Sequence, residues 1–324
     1  MVEAIKEERG YRLLEPWRYT ERSLGLVVPI VREDYPAERR YLLLEEVRDL
    51  VEIRDSGAID RVIAKSYVDK HVLARRGVLL AGHTQPRAVR FTMIIPPSSE
   101  EQELRVYCVG ASTPILRDVK MEIASFAPSS IRFHLTSSSQ ERVWRLIHSL
   151  TSSINLRENN LAKYMEEAVR VRREIAEVIK KFPSAKNQVG LFILDEKGVY
   201  AMEVFDHPDS WKAIASAAAK EYSDQLAREA EFFPFKPDLK AIKKGIQHFL
   251  TKLQQSRELT TQQGKDFKVA YLQADGIAGE YAELYGEAIY ILAHRLPQPT
   301  PTEEVDERRL RYHLEEAVSY THLR

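Results

Sequence analysis

Between Tyr11 and Cys108 the apolar residues come in short runs that are rich in Val, Ile and Tyr. Runs of this length predict β-strands rather than helical stripes. The predicted strands cover residues 24–31, 62–67, 78–81, 91–95 and 104–109. Residues 41–54 break the pattern and predict a strand, one short helix over residues 45–50, and a second strand.

Beyond Ser129 the spacing of apolar residues becomes that of helices. Ser138 and Ser139 precede Gln140-Glu141 and predict the cap of a first helix. Asn155, with Glu158 three residues later, predicts the start of one long amphipathic helix that Pro183 ends. We interpret its apolar stripe as a core face: Leu161, Met165, Ala168, Ile175, Val178 and Phe182.

The remaining elements follow a clear hairpin signal. Residues 189–194 and 199–205 alternate around Asp195-Glu-Lys-Gly198, and Gly198 can take the positive φ of a tight turn. Two helices should come next, one capped by Asp206 or Asp209 and one starting near Pro237. Strands are predicted at residues 268–273, 281–284 and 288–296.

Strand-rich and helix-rich blocks are segregated along the chain, which predicts an α+β fold of mostly antiparallel β-sheets packed against four or five amphipathic helices. We expect an N-terminal extension at residues 1–20 and one domain at residues 20–296. That domain is strand-rich over 20–135, helix-rich over 136–256 with the hairpin at 189–205, and closes with strands over 268–296. Residues 297–324 form a predicted linker and tail with one helix at 304–318, and the last residues resemble translated sequencing adapter.

The composition of the chain indicates the cellular compartment. The single cysteine, Cys108, excludes an internal disulfide framework and predicts a buried thiol in a reducing environment. The first ten residues lack the pattern of a signal peptide, and no apolar run reaches the ~18 residues of a membrane span. We therefore predict a cytoplasmic protein. Charged residues make up 30% and asparagine occurs four times, which fits a thermophilic source.

Charge disfavours two classes of partner. The chain carries 48 basic and 48 acidic residues, so it has no overall attraction for nucleic acid or for acidic membranes. One basic run on the predicted long helix is interleaved with Glu174 and Glu177, which is typical of a solvated helix face rather than of a surface that follows phosphates. That run contains Arg170, Arg172, Arg173, Lys180 and Lys181.

The best candidate site is the segment Gly82-His-Thr-Gln-Pro-Arg87. Phosphate-binding loops, paired-cysteine motifs and the common hydrolase motifs are absent from the sequence. In this segment Arg87 could bind a phosphate or carboxylate while Gln85 contacts a base or ribose, with Gly82 and His83 beside them. The alternative is an ordinary β-turn whose polar groups face solvent.

Three residues are weak catalytic candidates: His83, Asp206 and His294. Asp206 and Asp209 flank His207, a combination suited to acid–base work, although ordinary helix capping is the favoured explanation at the start of a helix. His294 falls on the strand face opposite Ile291 and Ala293, where a histidine is more often structural. The sequence predicts no metal site and no cofactor.

Several segments, in order, resemble the ARG-and-rhodanese-phosphatase-superfamily-associated protein domain over residues 20–296. The chain differs from the family pattern after the central glycine, where only His83 and Thr84 separate Gly82 from Gln85. The similar segments are Tyr41-Leu-Leu-Leu-Glu-Glu-Val with Val51-Glu-Ile, Val78-Leu-Leu-Ala-Gly82 with Gln85-x-Arg87 and Ile94-Ile-Pro-Pro97, Gln140-Glu-Arg-Val-Trp144, Val204-Phe-Asp-His-Pro-x-x-Trp211, Gly276-Ile-Ala-Gly279 and residues 288–294.

The resemblance implies a link to ADP-ribose or nucleotide metabolism but supplies no agreed active site. Our leading hypothesis is a non-catalytic ligand-binding or accessory protein that recognises an ADP-ribose-like or nucleotide ligand. The alternatives are a hydrolase acting on such a ligand and a structural partner in a larger complex. The sequence leaves open whether the protein is an enzyme and favours the view that it is not.

Overall fold

A computed structural model describes residues 1–97, 100–110, 113–231 and 236–297. These ranges contain seven α-helices and seventeen β-strands. The helices are α1 (Val2–Lys6), α2 (Ser129–Arg132), α3 (Gln140–Ser153), α4 (Leu161–Val171), α5 (Arg173–Lys181), α6 (Pro208–Ala227) and α7 (Leu239–Gln254). The strands are β1 (Tyr11–Leu13), β2 (Leu26–Arg32), β3 (Tyr41–Leu43), β4 (Val51–Asp55), β5 (Arg61–Ser66), β6 (His71–Ala74), β7 (Val78–Gly82), β8 (Arg87–Val89), β9 (Met93–Ile95), β10 (Gln102–Cys108), β11 (Lys120–Phe126), β12 (Gln188–Asp195), β13 (Gly198–Phe205), β14 (Arg257–Gln263), β15 (Phe267–Ala274), β16 (Ile277–Leu284) and β17 (Glu287–Arg295). The predicted α+β class is confirmed, with more helices than expected.

The largest element is an eight-stranded antiparallel sheet. Its strand order is β1-β2-β12-β13-β17-β16-β15-β14. The chain leaves this sheet at Arg32 and returns at Gln188, and the Arg32 amide donates to the Asn187 carbonyl at 3.0 Å. All residues between these points therefore form an insertion between two neighbouring strands.

The insertion contains a closed six-stranded barrel. Its strands pair in the order β10-β5-β4-β11-β7-β8, and β8 closes the ring on β10. Beside the barrel lies a three-stranded sheet in the order β3-β6-β9, in which β3 and β6 run parallel. Closure pairs the backbone groups of the barrel strands, so the barrel has no free sheet edge.

Apolar side chains divide the molecule into layers. One face of the large sheet, which includes Met202 and Ile291, packs against α1 and α7. The opposite face shares a core with α6 and with one side of the barrel strands, represented by Phe205 and Leu80. The other side of the barrel, including Leu79, packs under α3, α4 and α5. The barrel is thus held between the sheet and a helical layer.

The predicted single helix from Asn155 to Pro183 is wrong. Asn155 adopts a positive φ of 57° before the helix begins, and the side chain of Asn160 caps α4 instead. Arg172 is extended, with φ −107° and ψ 96°, which separates α4 from α5. Arg172 is held there by ion pairs with Asp224 of α6 at 2.5 Å and with Glu174 at 2.8 Å.

Other local expectations also change. Residues 45–50 form turns rather than a short helix. The side chain of His207, and not a neighbouring carboxylate, caps α6 by accepting from the Asp209 amide. Five strands were not predicted: β1, β6, β8, β11 and β14. The first three are only three or four residues long, and the alternation of polar and apolar residues in β11 and β14 is irregular where each contains a bulge.

Three local predictions are confirmed, for the hairpin, the cap of α3 and the burial of the cysteine. The hairpin of β12 and β13 turns at Gly198, whose φ is 101°. Ser139 caps α3, and Cys108 is buried. Within the described ranges, no helix combines the length and the apolar character that a bilayer span needs. The predicted linker beyond Pro297 and the tail helix lie outside the described residues.

Candidate functional site

The candidate segment Gly82–Arg87 connects β7 to β8 at one end of the barrel. Gly82 lies against β11 so closely that a Cβ atom there would be 2.6 Å from the Lys120 carbonyl oxygen. Only glycine allows this approach without a backbone shift. His83 is exposed, whereas Thr84, Gln85 and Arg87 are buried. The segment therefore presents its first half to solvent and anchors its second half inside the protein.

A carboxylate that sequence reasoning missed, Asp55 of β4, organises this anchor. One Asp55 oxygen accepts from the Thr84 hydroxyl at 2.6 Å and lies 3.5 Å from Nη2 of Arg87. Arg87 also donates to the Gln85 side chain at 2.5 Å and to the Ala58 carbonyl at 3.2 Å. The side chains of Gln85 and Arg87 thus bind groups of the protein itself, and these hydrogen bonds hold the loop in one conformation.

A cleft lies on the other side of the segment. It has a volume of about 620 Å³ and runs between strands β7 and β11 of the barrel and helix α4. The candidate segment contributes Gly82, Thr84 and Pro86 to its wall. Small side chains such as Ala81 and Ala124 keep the barrel side open. The structure thus brings half of the predicted segment to a concave surface of the size that small ligands occupy.

Polar groups in the cleft come mainly from the helices. Asn160 and Lys163 lie at the N-terminus of α4, and Lys220 of α6 also lines the cleft. Lys163 forms a half-exposed ion pair with Glu158 at 2.5 Å. Glu166 is the acidic residue on the cleft wall. Two ammonium groups and a helix N-terminus favour an anionic occupant over a cationic one.

Asp206 lies at the start of α6, where it is bonded to other parts of the protein. Its carboxylate accepts from the Tyr41 hydroxyl at 2.8 Å, and the Ser210 hydroxyl donates to the same Tyr41 oxygen. Burial raises the pKa of Asp206. This arrangement links β3 to the first turn of α6.

His294 is fully buried on β17. Its ring stacks on Phe133 with the two ring centroids 4.1 Å apart and the planes within 2°. Burial, followed by the nearby charge of Arg76, lowers the pKa of His294 well below its usual value. In the described part of the chain, His83, Asp206 and His294 share no contact with one another, and none of them lines the cleft.

A buried ionic cluster between the large sheet and the barrel was missed entirely. Arg132 binds Glu203 at 2.8 Å and Glu221 at 2.5 Å, and Arg75 binds the same two carboxylates at 2.8 Å and 2.9 Å. Glu45 adds a further ion pair to Arg75 at 2.7 Å. These side chains are at most 4% exposed. The cluster joins three separate parts of the chain: the barrel insertion, β13 and α6.

The chemistry of this cluster is that of a structural core. Burial alone would raise the pKa of Glu203, but Arg132 and Arg75 outweigh burial and hold it well below its usual value. The Tyr290 hydroxyl donates to Glu203 at 2.7 Å and the Tyr222 hydroxyl at 3.1 Å. Each carboxylate oxygen of Glu203 therefore has partners that satisfy it. The one feature of the sequence that could have indicated this cluster is the pair Arg75-Arg76, which stands directly between two apolar strands.

The described ranges contain no group of three or more His, Cys, Asp or Glu residues placed to hold a metal ion. Cys108 is buried beside the Gly110 carbonyl, and burial raises its pKa. A raised pKa keeps a thiol protonated and unreactive at neutral pH.

Comparison with known proteins places the chain in a family. The model of the ARG and Rhodanese-Phosphatase-superfamily-associated Protein domain, ARPP-1, matches residues 10–293. The chain belongs to the ARPP-1 family. The ARPP-1 match begins just before β1 and ends within β17, so it includes the sheet, the barrel insertion, the cleft and the ionic cluster. No curated protein and no solved structure gives a significant match to the chain.

Proposed function

We propose that this ARPP-1 protein is a non-catalytic binding or accessory protein that holds a small anionic, nucleotide-like ligand in the cleft between the barrel and α4. The observation that carries the proposal is the cleft itself, whose volume of about 620 Å³ is bounded by the candidate segment at Gly82, Thr84 and Pro86. Ligand-binding clefts typically have volumes of ~300–1,000 Å³.

The charges in the cleft support an anionic ligand. Lys163 and Lys220 approach it from two helices, and Lys163 lies in the first turn of α4. The partial positive charge of a helix N-terminus adds to that of the ammonium groups. The Ser125 and Thr113 hydroxyls and the Asn160 amide provide neutral hydrogen-bonding groups for a sugar or base.

In this proposal the predicted binding residues divide into two roles. Gly82 lines the cleft and exposed His83 lies outside its wall, whereas Gln85 and Arg87 are positioning residues that fix the loop through Asp55. The nucleotide-like character rests on the family description, which associates ARPP-1 with ARG and the rhodanese-phosphatase superfamily, where we take ARG to mean ADP-ribosylglycohydrolase. We also propose that the protein is cytoplasmic, because its single cysteine, Cys108, is a free and buried thiol.

The hydrolase alternative receives less support. Asp206 is bonded to Tyr41, and His294 is stacked on Phe133 with no exposed surface. General acid–base catalysis needs such groups within hydrogen-bond reach of one bound substrate.

The proposal is tested by thermal unfolding in the presence of ADP-ribose, NAD, ADP and AMP. A ligand at ~100 times its dissociation constant should stabilise the protein by ~2.7 kcal/mol. The double variant Lys163→Ala, Lys220→Ala should lose most of that shift while remaining folded. Lys180→Ala is the matched control, because Lys180 is an exposed lysine of α5 outside the cleft wall. Unchanged unfolding with all four compounds would contradict the proposal and favour a role as a structural partner.

A further inference from the structure

A second polar cluster lies beside the ionic cluster, on the face of the large sheet that meets the barrel. Tyr271 of β15 is paired directly with Glu280 of β16. Glu280 is paired with Leu292 of β17, and His294 follows two residues later on the same face. The three side chains thus come from adjacent strands and project to one side. All three are at most 1% exposed.

Arg76 approaches these side chains from the segment between β6 and β7. Its Nη1 donates to the Thr136 hydroxyl at 3.0 Å, and its Nε lies 3.7 Å from Oε2 of Glu280. That oxygen of Glu280 is already used, because it accepts from the Thr92 amide at 3.1 Å and from the Thr92 hydroxyl at 2.7 Å. Arg76 and Glu280 are therefore close but not joined by a direct hydrogen bond.

Five buried polar atoms of this cluster lack a hydrogen-bond partner within the described part of the chain. They are Nε and Nη2 of Arg76, the Tyr271 hydroxyl, Oε1 of Glu280 and Nε2 of His294. The Thr136 hydroxyl lies near Tyr271 without a hydrogen bond of normal geometry. An unsatisfied buried polar group typically costs ~1–3 kcal/mol, so five such atoms close together indicate a partner other than these side chains.

The hydrogen-bonding roles of these atoms can be assigned. Nδ1 of His294 lies 3.0 Å from the Arg295 carbonyl oxygen. Because a carbonyl oxygen only accepts, Nδ1 carries the proton and Nε2 is an acceptor. Oε1 of Glu280 is a second acceptor. Arg76 supplies donors, and the Tyr271 hydroxyl can act as either.

We propose that Arg76, Tyr271, Glu280 and His294 form an internal binding site for an ordered water molecule. Water has two protons, for Glu280 and His294, and two lone pairs, for Tyr271 and one of the two Arg76 nitrogens, so one water molecule accounts for four of the five atoms. An anion would face the Glu280 carboxylate and the His294 lone pair, and a cation would face the Arg76 guanidinium. Buried waters in proteins typically make about three hydrogen bonds, which this site provides. The water joins three strands of the sheet to the barrel insertion.

A crystal structure of the wild-type protein that resolves ordered solvent tests this directly. We expect a solvent peak within hydrogen-bond distance of at least three of the four side chains. Direct hydrogen bonds between Arg76 and both Glu280 and His294, with no solvent peak among them, would overturn the proposal.

A solution measurement provides a second test. Oxygen-17 relaxation dispersion detects water molecules that stay bound for long periods. Tyr271→Phe removes one partner without changing the shape of the ring, so it should lower the dispersion amplitude or shorten the residence time. Tyr67→Phe is the matched control, because the Tyr67 hydroxyl bonds to Glu52 on the surface. Identical dispersion in the wild type and in both variants would overturn the proposal.

Discussion

Glu203 accepts hydrogen bonds from two buried guanidinium groups and two tyrosine hydroxyls, so its charge is balanced only inside this arrangement. Glu203→Gln removes the charge and leaves Arg75 and Arg132 incompletely paired. Breaking a buried ion pair from one side typically costs ~3–5 kcal/mol. We expect a loss of that size in the free energy of unfolding, measured by urea denaturation.

Glu103→Gln is the matched control. Glu103 is also a strand glutamate paired with an arginine, Arg61, but its side chain is 42% exposed. Exposed ion pairs contribute ~0–1 kcal/mol, so this variant should unfold almost like the wild type. Equal losses in the two variants would contradict a structural role for the buried cluster.

His134 makes stability depend on pH. Burial, followed by the charge of Arg142, lowers the pKa of His134 to about 4 from its ordinary value of 6.5. Between these values the unfolded chain binds a proton that the folded protein does not, so stability is full above pH 6.5 and falls as the pH drops towards 4. The change is on the order of 3 kcal/mol for this group.

The measurement is the unfolding free energy of the wild type and His134→Gln between pH 4 and 6.5. The variant should show a shallower slope, though not a flat one, because the pKa of buried His294 is lowered in the same direction. His83→Gln, at an exposed position, should keep the wild-type slope. A wild-type slope in His134→Gln would show that His134 is not the titrating group.

Residue-level prediction worked where the cause is local. Cys108 sits among β-forming residues, and burial of its thiol follows from that alone. The candidate segment was proposed because glycine, amide and guanidinium are neighbours in the chain, and its binding role stays a prediction. Asp55 was missed because it meets Thr84 and Arg87 only through the pairing of barrel strands, about thirty residues away in sequence.

At the scale of elements, one side chain joins two sheets by hydrogen bonds. Gln262 of β14 accepts from the Ile94 amide at 2.8 Å and donates to the Ile94 carbonyl at 2.8 Å. It thereby satisfies the edge of β9 as a neighbouring strand would. Gln262→Ala leaves both backbone groups buried without partners, and we expect a loss of ~1–3 kcal/mol in unfolding free energy.

Gln263→Ala tests whether this effect is specific. Gln263 is the exposed neighbour of Gln262 on the same strand. Gln263→Ala therefore changes the composition of β14 in the same way without removing a hydrogen bond to β9. Hydrogen exchange at the Ile94 amide should accelerate in Gln262→Ala and stay unchanged in Gln263→Ala. Unaltered exchange in both would contradict the link between the sheets.

Elements were predictable where one residue sets the local conformation. Gly198 marks the hairpin, and Ser139 caps α3. The break between α4 and α5 has no such signal, since Arg172 favours a helix as much as its neighbours do. It is the ion pair with Asp224 on another helix that stabilises the extended backbone there.

At the scale of the whole molecule, the ionic cluster joins the sheet, α6 and the barrel insertion. We therefore expect thermal unfolding as one cooperative transition. Neither the sheet with α6 nor the barrel insertion can unfold alone without leaving buried charges exposed or unpaired. Far-ultraviolet circular dichroism and tryptophan fluorescence should give the same midpoint. Trp144 reports from the helical layer and Trp211 from α6 beside the sheet, and replacing the third tryptophan, Trp17, and one of these two by Phe isolates each signal.

Two transitions with separate midpoints would contradict this cooperative behaviour. The Glu203→Gln variant should move the midpoint of both tryptophan signals together.

The fold class followed from segregated strand and helix blocks, but the division of strands into a barrel and two sheets did not. Strand pairing is non-local, and a run such as β8 has the same composition whether it closes a barrel or ends a sheet. The pairing of β10 with both β5 and β8 comes from the packing of the whole insertion.

The adjacency of Arg32 and Asn187 has a consequence for descent and design. A connection of a few residues could bridge these two points, so the pairing of β2 with β12 does not need the long covalent path through the insertion. A replacement of the inserted segment must supply two buried cations of its own, because Arg75 and Arg132 belong to the insertion while Glu203 and Glu221, which they neutralise, belong to the rest of the protein.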